Sequence, residues 1–473
     1  MNQKRTKIVA TISDKKAEPL FIRRLYEAGM DVVRINTAHQ DIEGTLRVLE
    51  NVRKVSDKIA FLIDTKGPEV RTSDTDAPVS FKKGEFVKVT GEEETRTSQS
   101  VISVSYPDFA SDISVGSRIM IDDGVLELEA VSKDGKFLEC VVLNDGTLGS
   151  RKSVNVPNTS LKLPSVSEKD KLYIDFAIEH DIDFIAHSFV RNAQDVKDVQ
   201  KLLDKKKSKI KIIAKIENQE GVENINEIME HSYGIMVARG DLAIEIPYEK
   251  IPGIQRKIIE KCIKRRKPVI VATQMLHSMI DNPRPTRAEI SDIANAIYSQ
   301  TDAIMLSGET AYGKYPVEAV ETMTRVAKEV EKNKTKFLDL PAGALTGEVS
   351  AYLAKMAVKT ASRINAKFII SDTVRGRTIR NMSSFRGINY ILAQCYSSRT
   401  MRELALSYGV YPGLQEKHKS SDMFLRIALE KLLESHELKD NDKIVILAGN
   451  FNRGTGSSYI EVGSVEHLKE RLS

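Results

Sequence analysis

Residues 211–247, KIIAKIENQEGVENINEIMEHSYGIMVARGDLAIEIP, predict a β-strand, a helix and a second β-strand in succession. The first strand is an apolar run that is interrupted by Lys215 and Glu217. Residues two positions apart point to the same face of a strand, so these two side chains are expected on one face. A lysine and a carboxylate inside a buried strand must each find a charged or hydrogen-bonding partner.

The second strand of this stretch ends at Gly240 and Asp241. If the two strands are parallel neighbours, Glu217 and Asp241 lie at adjacent carboxyl ends. Two carboxylates beside a lysine suit a Mg²⁺ ion that also holds an oxyanion substrate. The alternative is a structural ion pair between Lys215 and either Glu217 or Asp241, which is common in such strands.

The rest of the chain alternates between short β-branched runs and amphipathic helical patterns, which favours a parallel sheet or barrel. Together with the two strands of residues 211–247, six further runs complete eight strand–helix units. Eight is the count of a (β/α)8 TIM barrel, and this is the predicted α/β fold. The six runs are 7–12, 31–36, 59–64, 183–190, 268–275 and 302–309.

Two parts of the chain depart from the strand–helix alternation of the barrel. Residues 72–155 contain short alternating runs that are divided by glycines, and they predict an inserted small β-barrel lid domain over the third strand. This leaves residues 1–71 and 156–340 for the barrel. Residues 341–473 alternate again and predict a separate C-terminal α/β sandwich domain.

The composition is that of a globular protein with more than one domain. The 473 residues are 41% hydrophobic and 29% charged, and the formal net charge of +5 is small for this length. We therefore expect anionic small molecules rather than nucleic acid as partners. Three scattered cysteines form no zinc or disulfide pattern, and no signal-peptide core or run of transmembrane length is visible. A cytoplasmic protein without membrane partners is predicted, and the lack of a Walker A pattern excludes a P-loop enzyme.

Polar residues end nearly every predicted barrel strand, and the carboxyl ends of the strands carry the active site in this fold. A purely structural explanation would have to account for charged and hydroxyl groups at the same end of every strand. Their types suit phosphoryl transfer, which depends on charge neutralisation and alignment. The residues at these ends are Arg34, Asn36, Asp64, Thr65, Arg71, Ser188, Arg191, Lys215, Glu217, Arg239, Gly240, Asp241, Thr273, Gln274, Ser307, Gly308, Glu309 and Thr310.

Motifs along nearly the whole chain resemble those of the pyruvate kinase family, and they occur in the family's order. They are TKIVATI, EAGMDVVRIN, IDTKGPEVRT, SEKD, KIENQEG, MVARGDL, ATQML, PTRAEISDIANAI and IMLSGETAYGKYP. The resemblance implies a barrel, a lid inserted after the third strand and a C-terminal α/β domain. It also implies a homotetrameric enzyme that transfers a phosphoryl group from phosphoenolpyruvate to ADP, giving pyruvate and ATP in the last step of glycolysis.

The resemblance further implies roles for individual residues at the strand ends. The ligands of Mg²⁺, or of Mn²⁺ in its place, would be Glu217 and Asp241, and those of K⁺ would be Asn36, Asp64 and Thr65. The substrate would contact Arg34, Lys215, Gly240, Asp241 and Thr273. The catalytic residues would be Lys215, Arg34, Thr273, Ser307 and Glu309. The nucleotide would face Arg71 and Lys152, and it could neighbour His39, which lies beside the site.

Two departures from the family's pattern bear on cations and regulation. Ala38 stands where the family has a serine that offers an oxygen to K⁺, and we expect water to replace that oxygen. In the C-terminal part, two loops rich in glycine and hydroxyl groups resemble the family's sugar-phosphate effector site, although they could equally be plain turns. The residues of this candidate effector site are Thr373, Arg375, Gly376, Arg377, Thr378, Arg453 and Gly456.

Two other functions stay open on the sequence alone. One is another Mg²⁺-dependent barrel that acts on phosphoenolpyruvate or pyruvate, such as an aldolase or a lyase of enolates, which would not need the inserted lid. The other is a sugar-phosphate-binding regulatory protein with a decayed site, and the intact lysine and carboxylates argue against it. The histidines His39, His187 and His277 are interpreted as satisfied scaffold residues rather than ligands.

Overall fold

The computed structural model describes most of the chain, with short gaps. The described residues are 4–92, 95–159, 161–333, 349–417, 420–435, 438–449 and 457–472. Three features of the sequence lie outside the described residues: the predicted domain boundary at residue 341, and Arg453 and Gly456 of the candidate effector site.

Three parallel strands joined by two helices form the first part of a closed barrel. These elements are β1 (Lys7–Thr11), α1 (Pro19–Ala28), β2 (Val32–Asn36), α2 (Ile42–Val55) and β3 (Ala60–Asp64). Helix α1 starts with Pro19, whose fixed φ suits the first helical position, and stops at Gly29, where φ is 122°. A side chain at Gly29 would collide with the hydroxyl of Thr324, so glycine is required there. Helix α2 begins after Asp41, whose carboxylate accepts the backbone N–H of Gly44.

After β3 the chain forms a separate, mainly antiparallel β-structure, which we call the lid. Its elements are β4 (Val70–Arg71), β5 (Val79–Phe81), β6 (Phe86–Thr90), β7 (Val101–Ser103), α3 (Phe109–Asp112), β8 (Arg118–Ile121), β9 (Leu126–Asp134), β10 (Phe137–Val142), β11 (Gly146–Leu148) and β12 (Ser153–Asn155). Seven strands form a sheet in the order β4-β12-β8-β9-β10-β6-β7, and β5 pairs with β11. The first and last lid strands, β4 and β12, pair with each other, so the lid's two connections to the barrel lie side by side.

Five further strands complete the barrel. The elements are α4 (Glu168–Glu179), β13 (Phe184–His187), α5 (Ala193–Lys205), β14 (Lys211–Ile216), α6 (Gln219–Glu223), α7 (Ile225–His231), β15 (Gly234–Ala238), α8 (Arg239–Glu245), α9 (Ile251–Lys264), β16 (Val269–Ala272), α10 (Arg287–Tyr298), β17 (Ala303–Leu306), α11 (Gly308–Ala311) and α12 (Pro316–Lys332). The strand order is β1-β17-β16-β15-β14-β13-β3-β2, and β2 pairs with β1 to close the barrel. The predicted eight-stranded parallel barrel is therefore confirmed.

Several barrel strands end before the last residues that were predicted for them, so those predicted bounds were wrong. The runs predicted as 183–190, 268–275 and 302–309 end as strands at His187, Ala272 and Leu306. Arg239, predicted at the end of a strand, begins helix α8. Beyond two of these strands, backbone N–H groups bond to carboxylates instead of continuing the ladder. The N–H of Phe189 bonds to Glu217 after the neighbouring strand, and that of Ser307 bonds to Glu309 in its own loop.

Two apolar layers hold the barrel together. Side chains from alternate strand positions, such as Val9, Phe184 and Met236, fill its interior. A larger layer lies between the strands and the surrounding helices and includes Ile63 and Val237. Because both faces of every strand are buried, the strands are mostly apolar. Apart from Arg34 in the middle of β2, their polar residues lie at or next to the strand ends.

The C-terminal part forms a five-stranded sheet with helices on it. Its elements are α13 (Val349–Arg363), β18 (Phe368–Thr373), α14 (Arg377–Ser384), β19 (Tyr390–Cys395), α15 (Ser398–Glu403), β20 (Val410–Leu414), α16 (Ser421–Ser435), β21 (Lys443–Gly449), β22 (Ser457–Ser464) and α17 (Val465–Leu472). The order is β20-β19-β18-β21-β22, in which β22 alone runs antiparallel to its neighbour. The predicted α/β architecture is confirmed.

Buried ion pairs join the C-terminal part to the barrel. Arg386 bonds both carboxylate oxygens of Asp302, at 2.8 and 2.6 Å, and Arg402 bonds Asp183 at 2.6 Å. These side chains are nearly inaccessible to solvent, so the contact is a fixed interface. Within the described residues, none of the helices has both the length and the apolar character that a membrane crossing requires.

Candidate active site

Lys215 is the centre of a buried charge cluster at the carboxyl end of β14. Its ammonium group lies 2.9 Å from Glu217 Oε1 and 3.0 Å from Asp64 Oδ1, and it donates a hydrogen bond to Ser188 Oγ at 2.8 Å. Asp64 enters the cluster from β3, where its other oxygen accepts from Arg34 Nε at 2.6 Å. Three strands, β2, β3 and β14, thus bring two cations and two carboxylates together, and Ser188 after β13 adds a hydroxyl group.

The charges of this cluster stabilise one another. Burial alone would lower the pKa of Lys215, but the carboxylates of Asp64 and Glu217 outweigh it and raise that pKa. Burial would likewise raise the pKa of Asp64, and the cations of Arg34 and Lys215 lower it instead. Lys215 is therefore a permanent cation, suited to stabilising negative charge rather than to accepting a proton.

Nearby cations only partly offset the burial of the carboxyl groups of Glu217 and Asp241. Burial, with mutual repulsion for Glu217, raises the pKa of both carboxyl groups despite the nearby Lys215. Glu217 Oε2 accepts the backbone N–H of Phe189 at 2.6 Å, which fixes the orientation of the carboxylate. Glu217 is buried and Asp241 half-buried, and two such carboxyl groups with raised pKa fit a divalent cation, because a bound cation offsets the cost of burying their negative charge.

Thr273 follows β16 in a backbone conformation that is rare for a β-branched residue, with φ at 68°. Its hydroxyl accepts the backbone N–H of Gly240 at 2.8 Å and donates to the carbonyl of Ala272. Arg239 holds the carbonyl of Thr273 at 2.7 Å while it is paired with Asp292. Neighbouring strand ends therefore keep this strained residue in place, as is typical of functional sites.

Glu309 joins the loops that follow β16 and β17. Its carboxylate is 2% exposed and accepts the backbone N–H of Ser307 at 2.7 Å and that of Leu276 at 3.1 Å. Together with Thr273, Gly240 and Asp241, these two loops line a cavity of about 440 Å³, which the lid covers with Met120 and Asp123. The cavity has the polar lining and the volume that a small organic acid requires.

A second cavity of about 820 Å³ lies between the lid and the ends of β13, β14 and β15. Two predicted nucleotide residues line it. Arg71 is paired with Glu69 at 2.7 Å, and Lys152 is paired with Asp122 at 2.8 Å. His39, the third, is exposed and lines neither of these two cavities.

The predicted potassium ligands lie together at the ends of β2 and β3. Asn36 is paired in register with Asp64, and its amide oxygen accepts the backbone N–H of Ala38 at 3.1 Å. Thr65 is buried, and its hydroxyl accepts the backbone N–H of Ser188 at 3.0 Å. This group shares Asp64 with the Lys215 cluster.

The effector residues that the structure describes form the turn between β18 and α14. The Thr373 hydroxyl accepts the backbone N–H of Gly376, whose φ of 74° starts the helix. Arg375 and Arg377 are exposed and Thr378 is half-buried. The geometry is that of a tight turn with two arginines at the opening of a helix.

Other contacts of the site were not predicted from the sequence. Phe189 binds Glu217 through its backbone, and an apolar side chain gives no signal for that role. Asp170 accepts the backbone N–H groups of Lys66 and Gly67, although in the sequence it reads only as part of a helix start. His187 is fully buried, and neither of its ring nitrogens has a hydrogen-bond partner among the described residues, so it is not the satisfied scaffold histidine that was expected.

Comparison with known proteins agrees with the family resemblance of the sequence motifs over nearly the whole chain. The family model described as pyruvate kinase, barrel domain, matches residues 3–320, and that described as pyruvate kinase, alpha/beta domain, matches residues 352–461. A pyruvate kinase of Borreliella burgdorferi is 48% identical over 98% of both chains, and one of Bacillus licheniformis is 43% identical over 94% of this chain and 78% of its own. A crystal structure of a pyruvate kinase from Cryptosporidium parvum superposes with a TM-score of 0.91 at 35% identity, covering 98% of this chain and 96% of the other. The chain therefore belongs to the pyruvate kinase family and is an enzyme with pyruvate kinase activity.

Proposed function

We propose that the cleft between the barrel rim and the lid binds phosphoenolpyruvate and ADP and transfers the phosphoryl group between them. The observation that carries this proposal is the Lys215 cluster beside Asp241. Phosphoryl transfer needs charge neutralisation and alignment. The site provides a fixed ammonium group, a buried arginine and two carboxylates whose burial is only partly offset by nearby cations.

The cation ligands are assigned from the donor sets at the strand ends. Glu217 and Asp241 would hold Mg²⁺ or Mn²⁺, and Asn36, Asp64 and Thr65 would hold K⁺. When bound, the divalent ion supplies Lewis-acid stabilisation of oxyanions. Ala38 offers K⁺ no side-chain oxygen, so we assign that position to a water.

Lys215 and Arg34 bind the phosphoryl group of phosphoenolpyruvate. Lys215 remains an ammonium ion through the reaction, because Asp64 and Glu217 raise its pKa. Arg34 is held by Asp64 through Nε and by Thr11 through one terminal nitrogen, which leaves its other terminal nitrogen to donate to a phosphate oxygen. Both side chains are fixed before the substrate arrives, which favours the transition state over the ground state.

The enolate that remains after phosphoryl transfer is protonated in the 440 Å³ cavity. Thr273 holds a water at its hydroxyl, on the wall that it shares with Ser307 and Glu309. Glu309 accepts two backbone N–H groups and so fixes both loops rather than donating the proton itself. The backbone at Gly240 and the hydroxyl of Thr273 position the three-carbon part of the substrate.

The nucleotide lies in the larger cavity, under the lid. Arg71 and Lys152 are paired with carboxylates of the lid side, and they are positioned to exchange these partners for phosphate oxygens of ADP. His39 is assigned to the outer rim beside the nucleotide. Closure of the lid excludes water, which protects the transferred group from hydrolysis.

Three further proposals concern the assembly and its control. The exposed Arg375 and Arg377 beside Thr378 would bind a phosphorylated sugar as an effector. The enzyme would be a homotetramer, and it would work in the cytoplasm. The first is tested by calorimetric titration with several sugar phosphates, in which absence of heat for all of them contradicts it.

The decisive experiment is a coupled assay of pyruvate and ATP formation with and without Mg²⁺ and K⁺. We expect turnover only with both substrates and a divalent ion, and a rise in rate with K⁺. Lys215→Met should lower kcat by about a thousandfold or more, while Mg²⁺ and substrate still bind. Lys211→Met, at the opposite end of the same strand, is the control and should retain turnover. Cleavage or condensation of the substrate without ATP formation would instead identify an aldolase or lyase.

A further inference from the structure

One arginine of the barrel binds two carbonyls of the lid's return connection. Arg191 donates from its two terminal nitrogens to the backbone carbonyls of Leu161, at 2.8 Å, and Leu163, at 3.0 Å. Asp195, in the first turn of α5, accepts from the same guanidinium at 3.1 and 3.0 Å and from the Arg191 backbone N–H at 2.9 Å. Since Asp195 is 5% exposed, the guanidinium is fixed to the barrel while it binds the connection.

The other end of the same short segment contacts the catalytic cluster. Ser188 Oγ accepts from Lys215 at 2.8 Å and donates to the carbonyl of Thr65 at 2.6 Å. Phe189 donates its backbone N–H to Glu217, and its φ of 54° is unusual for a bulky residue. Three residues of this four-residue segment therefore contact the catalytic lysine, an assigned metal ligand and the lid connection.

The lid's outgoing connection is held by a different group. Asp170, at the start of α4, accepts the backbone N–H groups of Lys66, at 2.9 Å, and Gly67, at 3.2 Å. A carboxylate on α4 therefore binds the outgoing connection. The guanidinium of Arg191 binds the return connection, which also donates from Ser165 Oγ to Asp198 on α5 at 2.9 Å. Leu161, Leu163 and Phe189 all line the 820 Å³ cavity, so a shift of the return connection changes the shape of that cavity.

We propose that the segment Ser188–Arg191 couples the position of the lid to the metal site, with Arg191 as the positioning residue. A displacement of Leu161 and Leu163 pulls on a guanidinium that cannot move freely, and the strain passes through two peptide units to the Phe189 N–H that orients Glu217. Coupling of this kind is reciprocal, so a metal ion bound at Glu217 should also restrain the return connection. The inference rests on the proposed function, because it takes Glu217 as a metal ligand.

The test uses Mn²⁺ as the probe and the full-length enzyme without substrates. Mn²⁺ binding is measured by electron paramagnetic resonance, and amide hydrogen exchange is followed over residues 156–166 with and without Mn²⁺. In the unsubstituted enzyme we expect Mn²⁺ to slow exchange in this connection. In Arg191→Gln we expect about tenfold weaker Mn²⁺ binding, as is usual for loss of a group that orients a ligand, and no slowing of exchange.

Three comparison variants make the outcome interpretable. Arg191→Lys keeps the ion pair with Asp195 but cannot bond the carbonyls of both Leu161 and Leu163. It should therefore also bind Mn²⁺ more weakly and show no slowing of exchange. If Arg191→Gln does not fold, this variant replaces it in the test. Arg256→Gln removes an exposed arginine of α9 and should behave as the unsubstituted enzyme. Glu217→Gln should abolish Mn²⁺ binding, and if it does not, the assigned metal site is wrong. If Glu217→Gln does abolish it, but both Arg191 variants bind Mn²⁺ and protect the connection normally, only the coupling is wrong.

Discussion

Thr273 keeps its hydroxyl in the cleft at the expense of backbone strain. A β-branched residue at positive φ costs of the order of 1–3 kcal/mol, and it persists only where the surroundings hold it. Here Arg239 holds its carbonyl and Gly240 donates to its hydroxyl. This strain is consistent with the role in protonation that we assign to the hydroxyl. A turn with negative φ would connect the same elements without the strain, but it would not hold the hydroxyl at this place.

Replacement of Thr273 separates the role of the hydroxyl from that of the backbone. Thr273→Ser keeps the hydroxyl and should retain kcat within about tenfold, whereas Thr273→Val keeps the shape and should lose about 10² to 10⁴ in kcat. The substrate is phosphoenolpyruvate with tritium in place of one defined C3 hydrogen. The reaction is run in deuterium oxide, and the configuration of the resulting CHDT methyl group of pyruvate is determined. Thr273→Val should give racemic label, because the enolate is then protonated in solution. Stereospecific label at an unchanged rate would contradict the assignment.

His187 is a buried imidazole on the strand next to the Lys215 cluster. Burial lowers its pKa to about 4, because no partner compensates the loss of hydration of the charged form. The folded protein therefore keeps His187 neutral at pH values where the unfolded chain already binds a proton. Above pH 6.5, the ordinary pKa of histidine, His187 does not lower the free energy of unfolding. As the pH falls from 6.5 towards 4, protonation of the unfolded chain lowers that free energy.

The contribution of His187 to acid sensitivity can be measured directly. The shift in its pKa corresponds to about 3 kcal/mol of unfolding free energy that is lost between the two pH values. His187→Leu should therefore gain stability relative to the unsubstituted protein as the pH is lowered from 7.5 to 4.5 in urea unfolding. The control is His231→Leu, which replaces an exposed histidine at the end of α7. Parallel stability curves for His187→Leu and the unsubstituted protein would contradict the prediction.

At the scale of elements, one carboxylate both starts a helix and fixes a functional loop. Asp170 completes a capping box with Ser167 at the start of α4. The same carboxylate accepts the backbone N–H groups of Lys66 and Gly67, which follow the assigned potassium ligand Thr65. The start of α4 and the end of β3 therefore depend on one side chain.

Asp170→Ala should destabilise the enzyme more than loss of an ordinary helix cap. We expect about 2–4 kcal/mol, from about 1 for the cap and the rest for two backbone donors left without a partner. Asp41→Ala, which removes only the cap of α2, should cost about 1 kcal/mol. Urea unfolding gives both values, and a potassium titration of activity should show weaker K⁺ activation for Asp170→Ala alone. Equal costs for the two variants would show that the loop does not depend on Asp170.

Element types were predictable from the sequence, whereas strand ends were not. Apolar runs separated by helical patterns indicate a barrel, and the spacing of Lys215 and Glu217 places both at one rim. Beyond the early ends at His187 and Ala272, the Phe189 backbone bonds to Glu217 and the Thr273 hydroxyl bonds to Gly240, and these partners are far away in the sequence. The placement of Asp64 between two cations likewise comes from the strand order β2-β3-β13-β14, which no local pattern encodes.

At the scale of the whole molecule, the barrel and the C-terminal part depend on each other through Asp302. This carboxylate accepts from Arg386 and from the backbone N–H groups of Tyr408 and Val269, so it contacts both parts and the start of β16. Arg386 is 2% exposed, which makes the pair one of the deepest charges in the chain. Removing one partner of a buried pair leaves the other charge uncompensated, and this costs more than the pair contributes.

Arg386→Leu should therefore separate the unfolding of the two parts. We expect a loss of about 3–5 kcal/mol, and in calorimetry two transitions where the unsubstituted protein shows one, because the C-terminal part no longer shares its stability with the barrel. Asp302→Asn combined with Arg386→Leu should recover part of the loss, since the neutral amide needs no cation and its oxygen still accepts from the Val269 backbone. The double-mutant cycle gives the coupling energy. Arg256→Gln serves as the control for loss of a surface arginine. A single transition with additive effects of the two substitutions would mean that this ion pair does not join the two parts.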